Sequence, residues 1–390
     1  MTSFELEVIG QDSVSLARSL SLEINGKKAI GPIHGITSRD AEIYAKIAGY
    51  EYPDSTINIA GENLGYDTFS QIGTSASAIT DLQNRLSARL LNPRKTINIV
   101  YPRIPNTYDV DGVIYPHHTI TDLQASSIVG AELETGTDIV VTPIPGGVSS
   151  RKIVGKVIER TINEIQTFNY EKPMMAYIPR LDDVSLAADI VKEYLRQDKE
   201  CRIFGVDFSG SSYPSALLRA VIRTIRNSLK IKGNSEKNEK YYLHAFNVAT
   251  NRKSTKGISP ATDVLVHAYG IDTISNVIWG GGPLVPEKCR YMLTDDYGAY
   301  RKNEIIKKDP HCTCPTCKKY SLEEIYTPQH VLPGLKVHKM HTFYYELKEL
   351  SKKIVNSDTK KTYLPYVEAK EHTKPEVKKI MTDVHEILVS

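Results

Sequence analysis

The sequence lacks any apolar run near the roughly 20 residues of a membrane-spanning helix. Its opening, MTSFELEVIG, has no signal-peptide core. A soluble, cytoplasmic protein without membrane contact is expected. It also lacks a decisive charge balance: the formal net charge is +3, too small to name a partner without clustering. No internal repeat and no long low-complexity tract appear. A Gly-x-Gly-x-x-Gly turn after an early strand is missing as well, since Gly280-Gly281-Gly282 comes late and has the wrong spacing. This speaks against a dinucleotide-binding open sheet. Nor do the five cysteines form a disulfide framework, because three of them fall within six residues.

What is present is an ordinary globular balance, 41% hydrophobic and 24% charged over 390 residues, enough for one large α/β domain or two smaller ones. The close cysteines, in His311-Cys312-Thr313-Cys314-Pro315-Thr316-Cys317, read as a structural metal site. Three thiolates leave a tetrahedral zinc open, so a fourth ligand is required. His311, His330, His338 and His341 are near. His311 adjoins Cys312, which makes joint coordination awkward. His341 opens a helical pattern, residues 341–351, with apolar Phe343, Tyr344, Leu347 and Leu350 that would hold a ligand rigidly. It is the expected fourth ligand. Cys201 and Cys289 stand apart and read as packed hydrophobes.

Short β-rich runs alternate with helical patterns. Strands are predicted at 29–36, 56–60, 96–101, 138–143, 174–178, 202–208, 242–248 and 273–278. Helices are predicted at 38–48, 75–91, 121–133, 149–167, 185–196, 212–229 and 261–269, with Ser185 and Ser212 as N-caps. This alternation implies parallel strands with right-handed crossovers. Eight units in about 280 residues fit a (β/α)8 TIM barrel, with a doubly wound open sheet as the alternative. The expected division is a barrel with an N-terminal extension over 1–300 and a zinc-binding helical region over 301–390. Residues 230–240, 251–259 and 357–375 read as polar excursions.

On a barrel, the C-terminal ends of the strands carry the chemistry. Asp207, in Gly205-Val206-Asp207-Phe208-Ser209-Gly210-Ser211, ends the sixth predicted strand there. The alternative is an aspartate turn onto the amides that follow. Asp109 and Asp111 lie in the loop after the third strand and are candidates for a second acid or base. His117 and His118 share that loop. Asn63, Tyr101, Arg103 and Arg180 end predicted strands on the same rim, where an arginine suits phosphate. His244 is inside a strand and reads as a satisfied core histidine. Asp272 precedes the last strand, on the opposite end. The lysines of 336–379 alternate with glutamates and read as a solvated face beside the metal, placed to meet a nucleic-acid backbone.

Cys-x-Cys-x-x-Cys with a histidine 24 residues on, just after a barrel, resembles the tRNA-guanine transglycosylase superfamily. Tyr242-Leu243-His244-Ala245-Phe246, Gly270-Ile271-Asp272 and Arg290-Tyr291-Met292 resemble family segments in the same order, and His341 falls at the family's zinc histidine. The resemblance covers residues 240–350 and is diffuse before them. It implies base exchange: a carboxylate attacks the glycosidic carbon of a guanosine, guanine leaves, and a 7-deazaguanine such as preQ0 or preQ1 enters. It further implies structural Zn2+, a DNA or tRNA substrate, and a homodimer or a heteromeric partner. The sequence departs from the family where it reads Thr273-Ile274-Ser275-Asn276 in place of the nucleophile's strand end, which puts Ser275 at that position. It departs again at Val100-Tyr101-Pro102-Arg103 and at Thr142, so three family carboxylates are missing. The departures, and a length that leaves little room for extra RNA-binding domains, favour the DNA-modifying branch, with Asp207 as replacement nucleophile. The competing expectation is a non-catalytic partner subunit.

Overall fold

The computed structural model describes residues 4–53, 56–105, 107–110, 113–116, 119–168, 171–181, 183–211, 216–232, 240–248, 258–260, 262–276, 286, 289–357 and 362–389. The chain starts with an antiparallel sheet of β1 (Phe4–Gln11), β2 (Arg18–Ile24) and β3 (Lys27–Ile30). Strands and helices then alternate: β4 (Ile33–His34), α1 (Ser38–Ala48), β5 (Ile57–Asn63), α2 (Tyr66–Gln71), α3 (Ala76–Ser87) and β6 (Ile97–Arg103). A hairpin of β7 (Thr107–Val110) and β8 (Val113–Pro116) leads into α4 (Asp122–Glu134). Next come β9 (Val140–Val141), α5 (Arg151–Thr167), β10 (Met174–Ile178), α6 (Val184–Gln197), β11 (Ile203–Asp207), α7 (Ala216–Lys232) and β12 (Tyr242–Val248). The short β13 (Ser259–Pro260) and α8 (Thr262–Leu265) precede a 3-10 turn and β14 (Thr273–Asn276). Two further strands, β15 (Tyr291–Leu293) and β16 (Gly298–Tyr300), pair antiparallel with each other, and β16 also takes β13. The remainder is helical: α9 (Lys302–Lys308), α10 (Pro315–Lys319), α11 (Leu322–Ile325), α12 (Val331–Val355), α13 (Leu364–Glu368) and α14 (Lys374–Val389).

The fold is mixed α/β around a parallel six-stranded sheet in the order β4-β14-β12-β11-β10-β9, beside a parallel pair, β5-β6. In β10, β11 and β12 every residue is buried. That is why these segments read as largely apolar runs: both faces of a parallel strand are covered. The β4 end of the sheet meets β5 through Ile36, whose amide donates to Ile57 O at 3.0 Å and whose carbonyl accepts from Ile59 N at 2.8 Å. The β9 end meets β6 where Asp138 N donates to Asn98 O at 2.7 Å.

Local chemistry sets the helix starts. Thr37 and Asp40 form a capping box on α1, and Thr121 and Gln124 another on α4. Asp183, two residues before the expected Ser185, caps α6 through the amides of Ser185 and Leu186; Ser212 lies outside the described residues. The single strand expected at 29–36 is two, because Pro32 has no amide to donate to a ladder. Gly205 is needed in β11 because a Cβ there would sit 2.3 Å from the Phe246 ring. No helix among the described residues is long and apolar enough to cross a membrane.

The first sheet is pinned to the parallel one by a buried ion pair. Arg18 reaches both oxygens of Asp272, at 2.8 and 2.6 Å, donates to Tyr241 O at 2.7 Å, and stacks on the Tyr241 ring. Asp272 also accepts from Leu243 N at 2.7 Å. Asp272 thus serves the start of β12 and β14, the end away from Asp207, as the sequence implied. Arg18→Met leaves a buried carboxylate without its counterion and is expected to cost about 3–5 kcal/mol. Urea unfolding measures this; a loss below about 1 kcal/mol would mean that other contacts hold the sheet in place.

Candidate active site and metal centre

Asp207 ends β11 and is almost fully buried. Its Oδ1 accepts from Ser209 N at 2.7 Å, Ser209 Oγ at 3.2 Å and Asn247 Nδ2 at 3.0 Å. Its Oδ2 accepts from the Tyr177 hydroxyl at 2.8 Å and faces an Arg103 guanidinium nitrogen at 3.8 Å. The aspartate turn foreseen as one alternative is present, and the same side chain is buried at the end of a parallel strand. Two of its donors come from strained backbone. Ser209 has φ +44° and Asn247 φ +55°, a region that non-glycine residues enter at a cost. Asn247 sits where the β12–β14 register shifts between Ala245 and Val248. Such a bulge re-aims a strand side chain, here toward Asp207.

Three rings wall the same region. Tyr101 lies 4.9 Å from Phe246 and 6.5 Å from Tyr177, centroid to centroid, and Tyr177 lies 5.5 Å from Phe246. Burial foremost, then the nearby Asp207 charge, pushes the Tyr101 hydroxyl above the ordinary phenol range, with Arg103 opposing. It stays protonated at any physiological pH. Its oxygen meets no hydrogen-bond partner among the described residues.

The other expected rim residues divide. Arg103 and Tyr101 stand together near Asp207. Asn63 is exposed and pairs in register with Arg103 at the end of β5 and β6. Arg180 is exposed two residues past β10. Ser275 is buried, and its Oγ lies 3.2 Å from His244 Nε2. His244 also meets Thr273 Oγ1 at 2.6 Å, and burial lowers its pKa to about 3, so it is the neutral, satisfied core histidine expected. Asp109 lies in β7, but its side chain is outside the described part; Asp111, His117 and His118 lie outside the described residues altogether. Sequence reasoning missed Tyr177 and Asn247. The signal for Asn247 was an amide inside an otherwise apolar strand.

The metal centre needs one correction. His338, not His341, completes the cluster: its Nδ1 lies 3.5, 3.3 and 3.7 Å from the sulfurs of Cys312, Cys314 and Cys317. His338 Nε2 donates to Met292 O at 2.6 Å, which fixes Nδ1 as the ligand atom. Its ring packs on Tyr291 at 3.9 Å, and the Tyr291 hydroxyl lies 2.9 Å from Cys317 Sγ. His341 instead meets the Tyr44 hydroxyl at 2.9 Å. The cause is the length of α12. It begins at Val331 rather than at His341, so both histidines are mid-helix, and the three-residue step between them turns them toward different neighbours. Cys314 is the N-cap of α10, and Thr316 Oγ1 donates to Gly334 O of α12 at 3.0 Å, so the sulfurs and the histidine ride on two fastened helices. The four atoms suit a metal ion. A second acidic group, Asp296 with Glu371 and His372, already has Lys308 on Asp296.

A cleft of about 900 Å³ opens beside the cluster, with exposed Tyr50, Lys318, Lys319 and Tyr345 at its walls and Asp295 and Glu346 among them. Compared with protein-family models the chain matches none, and no curated protein matches it.

Elemental analysis of purified variants checks the ligand set. His338→Ala is expected to lose the bound metal, and His341→Ala to keep one equivalent per chain. The reverse pattern would restore His341 as ligand.

Proposed function

We propose that the chain is a diverged member of the tRNA-guanine transglycosylase superfamily that exchanges guanine for a 7-deazaguanine base such as preQ0 in nucleic acid, DNA in preference to tRNA. The observation that carries this reading is Asp207: a buried carboxylate at the C-terminal end of a parallel strand, held by two strained residues and faced by an arginine and three aromatic rings. Strained backbone and a buried charged group are costs that a purely structural turn does not need.

In this reading β4, β5, β6, β9, β10, β11, β12 and β14 close into a (β/α)8 barrel. The hydrogen bonds at Ile36 and Asn98, which join the two parallel ladders at both ends, support closure. Asp207 then lies on the catalytic rim. An oxygen of Asp207 attacks the glycosidic carbon of a flipped-out guanosine, forming an acylal bond to the sugar as the bond to guanine breaks. Guanine takes up a proton as it leaves, and the incoming base, giving up its own N9 proton, attacks the same carbon and releases the carboxylate, so the exchange is proton-neutral overall. Asn247 and Ser209 hold Oδ1 and leave Oδ2, toward Tyr177 and Arg103, as the reacting oxygen. Arg103 balances charge or meets a phosphate. The metal is read as structural zinc. A tetrahedron with Zn–S about 2.3 Å and Zn–N about 2.0 Å places nitrogen about 3.5 Å from each sulfur, close to the three spacings seen. Four protein ligands leave no open position. The cleft beside it, with exposed lysines and tyrosines, suits a nucleic-acid strand.

One observation favours a second reading, a non-catalytic partner subunit: both oxygens of Asp207 already accept hydrogen bonds from the protein. Incubation with radiolabelled guanine and DNA or tRNA in turn separates the two. The exchange reading expects label in one polymer, and Asp207→Asn is expected to lower the rate on the order of 10³-fold. No incorporation into either polymer, with any partner added, overturns it. Incorporation undiminished in Asp207→Asn overturns the nucleophile alone.

A further inference from the structure

A cavity of about 360 Å³ opens between the N-terminal strands and the long helix α12. None of its lining residues belongs to the Asp207 site, the cysteine cluster or the cleft beside that cluster. Its walls are apolar: Ile30, Pro32 and Ile33 at the β3–β4 turn, Tyr344 and Leu347 on α12, and Tyr52 from the segment after α1. Ile30 is 43% exposed, an aliphatic side chain left at the edge of an apolar hollow.

The walls are fastened to their neighbours. The Tyr52 hydroxyl donates to Met340 O at 3.3 Å, and its ring meets Tyr44 edge-on at 4.9 Å and Tyr344 at 6.0 Å, centroid to centroid. Ser351, one turn of α12 beyond Leu347, shares a hydrogen bond with Ser19 Oγ of β2 at 2.8 Å. His34 of β4 is buried at the cavity, and its ring tilts against Phe343 of α12 at 5.8 Å. Strand and helix are thus tied together on several sides of the hollow. A cavity held open in this way spends little on ordering when it is filled.

Its chemistry is divided. Inside, polar groups are few: Ser351 is already bonded to Ser19, and Thr56 is buried. A ligand with many polar edges would lose its water there without replacement, so an apolar body is the better match. The exposed lining residues Lys348 and Lys352, on successive turns of α12, mark the mouth. Lys352 pairs with Glu349 on its own helix at 3.2 Å. Lys348 makes no ion pair among the described residues, and its Nζ lies 5.9 Å from the centre of the Tyr344 ring. None of the described lining residues is acidic. A positive mouth therefore stands over an apolar interior.

We propose that this cavity binds an amphipathic anion, a molecule with one carboxylate or sulfonate head and an apolar body that fills the hollow. The body lies between the β3–β4 turn and α12, and the head meets Lys348, with Lys352 as the second cation. Opposite walls come from opposite ends of the chain, so the bound molecule bridges them. Binding that requires both walls acts on the folded chain alone and raises its melting temperature by mass action. The site stands independently of base exchange.

Titration of the full chain with 1-anilinonaphthalene-8-sulfonate, a fluorescent amphipathic anion, tests the proposal. Fluorescence is expected to saturate at one equivalent per chain, with a rise in melting temperature. Decanoate is expected to displace the probe, and decylammonium, of the same length and opposite charge, is not. Lys348→Glu is expected to weaken binding about 10-fold, whereas Lys156→Glu, the same change of charge on α5, leaves it unchanged. Ile30→Trp, which fills the mouth without changing charge, is expected to weaken it as well. All three positions are exposed, so the fold is expected to tolerate the changes. Non-saturable binding, equal displacement by decylammonium, equal weakening by Lys156→Glu, or an affinity unmoved in either Lys348→Glu or Ile30→Trp overturns the proposal. Displacement by oligothymidylate but not by decanoate also overturns it, and assigns the hollow to a nucleic-acid strand.

Discussion

The constraint on which the rest of this structure depends is the seam between β6 and β9. A parallel strand edge exposes amides and carbonyls that must be paired or covered. At this seam β9 is short, with two residues in strand geometry, and cannot supply a full ladder to β6. Three side chains supply acceptors where the backbone would have done so: Asp138, Thr137 and Glu132. Asp138 is in turn held by Lys27 from the N-terminal sheet, at 2.6 and 2.7 Å. Asn98 ties the seam to β5 by accepting from Asn58 Nδ2 at 2.7 Å. The polar residues buried here are therefore substitutes for backbone, and each is placed by the one before it.

The site at Asp207 follows from similar local compromises. Gly205 lets the Phe246 ring lie across β11, and Phe246 then anchors the turn beyond, since Phe208 N donates to Phe246 O at 2.9 Å. The next residue on β12, Asn247, takes the left-handed conformation, and its carbonyl accepts from Gly210 N at 2.8 Å. Strain at Asn247 is sustained by the fully buried strand on which it sits, and strain at Ser209 by the turn just past β11. The core overdetermines the backbone, and Asp207 is held by donors that leave it little rotational freedom.

Much of the architecture was legible in the sequence, for a physical reason. The bounds 174–178 and 242–248 were recovered without error because strands buried on both faces are largely apolar. Asp207 was legible because a carboxylate at the end of such a run is unusual. What was not legible depends on pairing or on an obscured helix. Asn247 looks like a strand residue until the register with β14 is known. The seam role of Glu132 depends on the shortness of β9, which a run of apolar residues does not reveal. The histidine was misassigned because Pro333 and Gly334 disguise the first turn of α12. A proline near a helix start is tolerated, since the amides there have no partner within the helix, and Gly334 is needed because a Cβ would lie 3.2 Å from Thr316 Cγ2. With the start placed at His341, the register of the ligand was lost.

The length of α12 also explains what the metal centre does. One helix of 25 residues carries His338 to the three sulfurs, His341 to Tyr44 of α1, Glu346 to the hydroxyls of Tyr297 and Tyr366, and Leu347, Leu350 and Ile354 to the main core. A metal ion, if held by His338 and the cysteines at and just before α10, would fix this helix along its axis, and the later contacts would inherit that register. The Asp207 site shares no residue with the cluster, and its donors come from β10, β11 and β12 rather than from α12. Such an ion would act on the position of the helix and through it on the packing of the N-terminal sheet, apart from the strand ends around Asp207. A scaffold divided in this way can change the groups at its strand ends and still keep its cysteines, which is why the cysteine motif is the plainest feature of the sequence and says least about function.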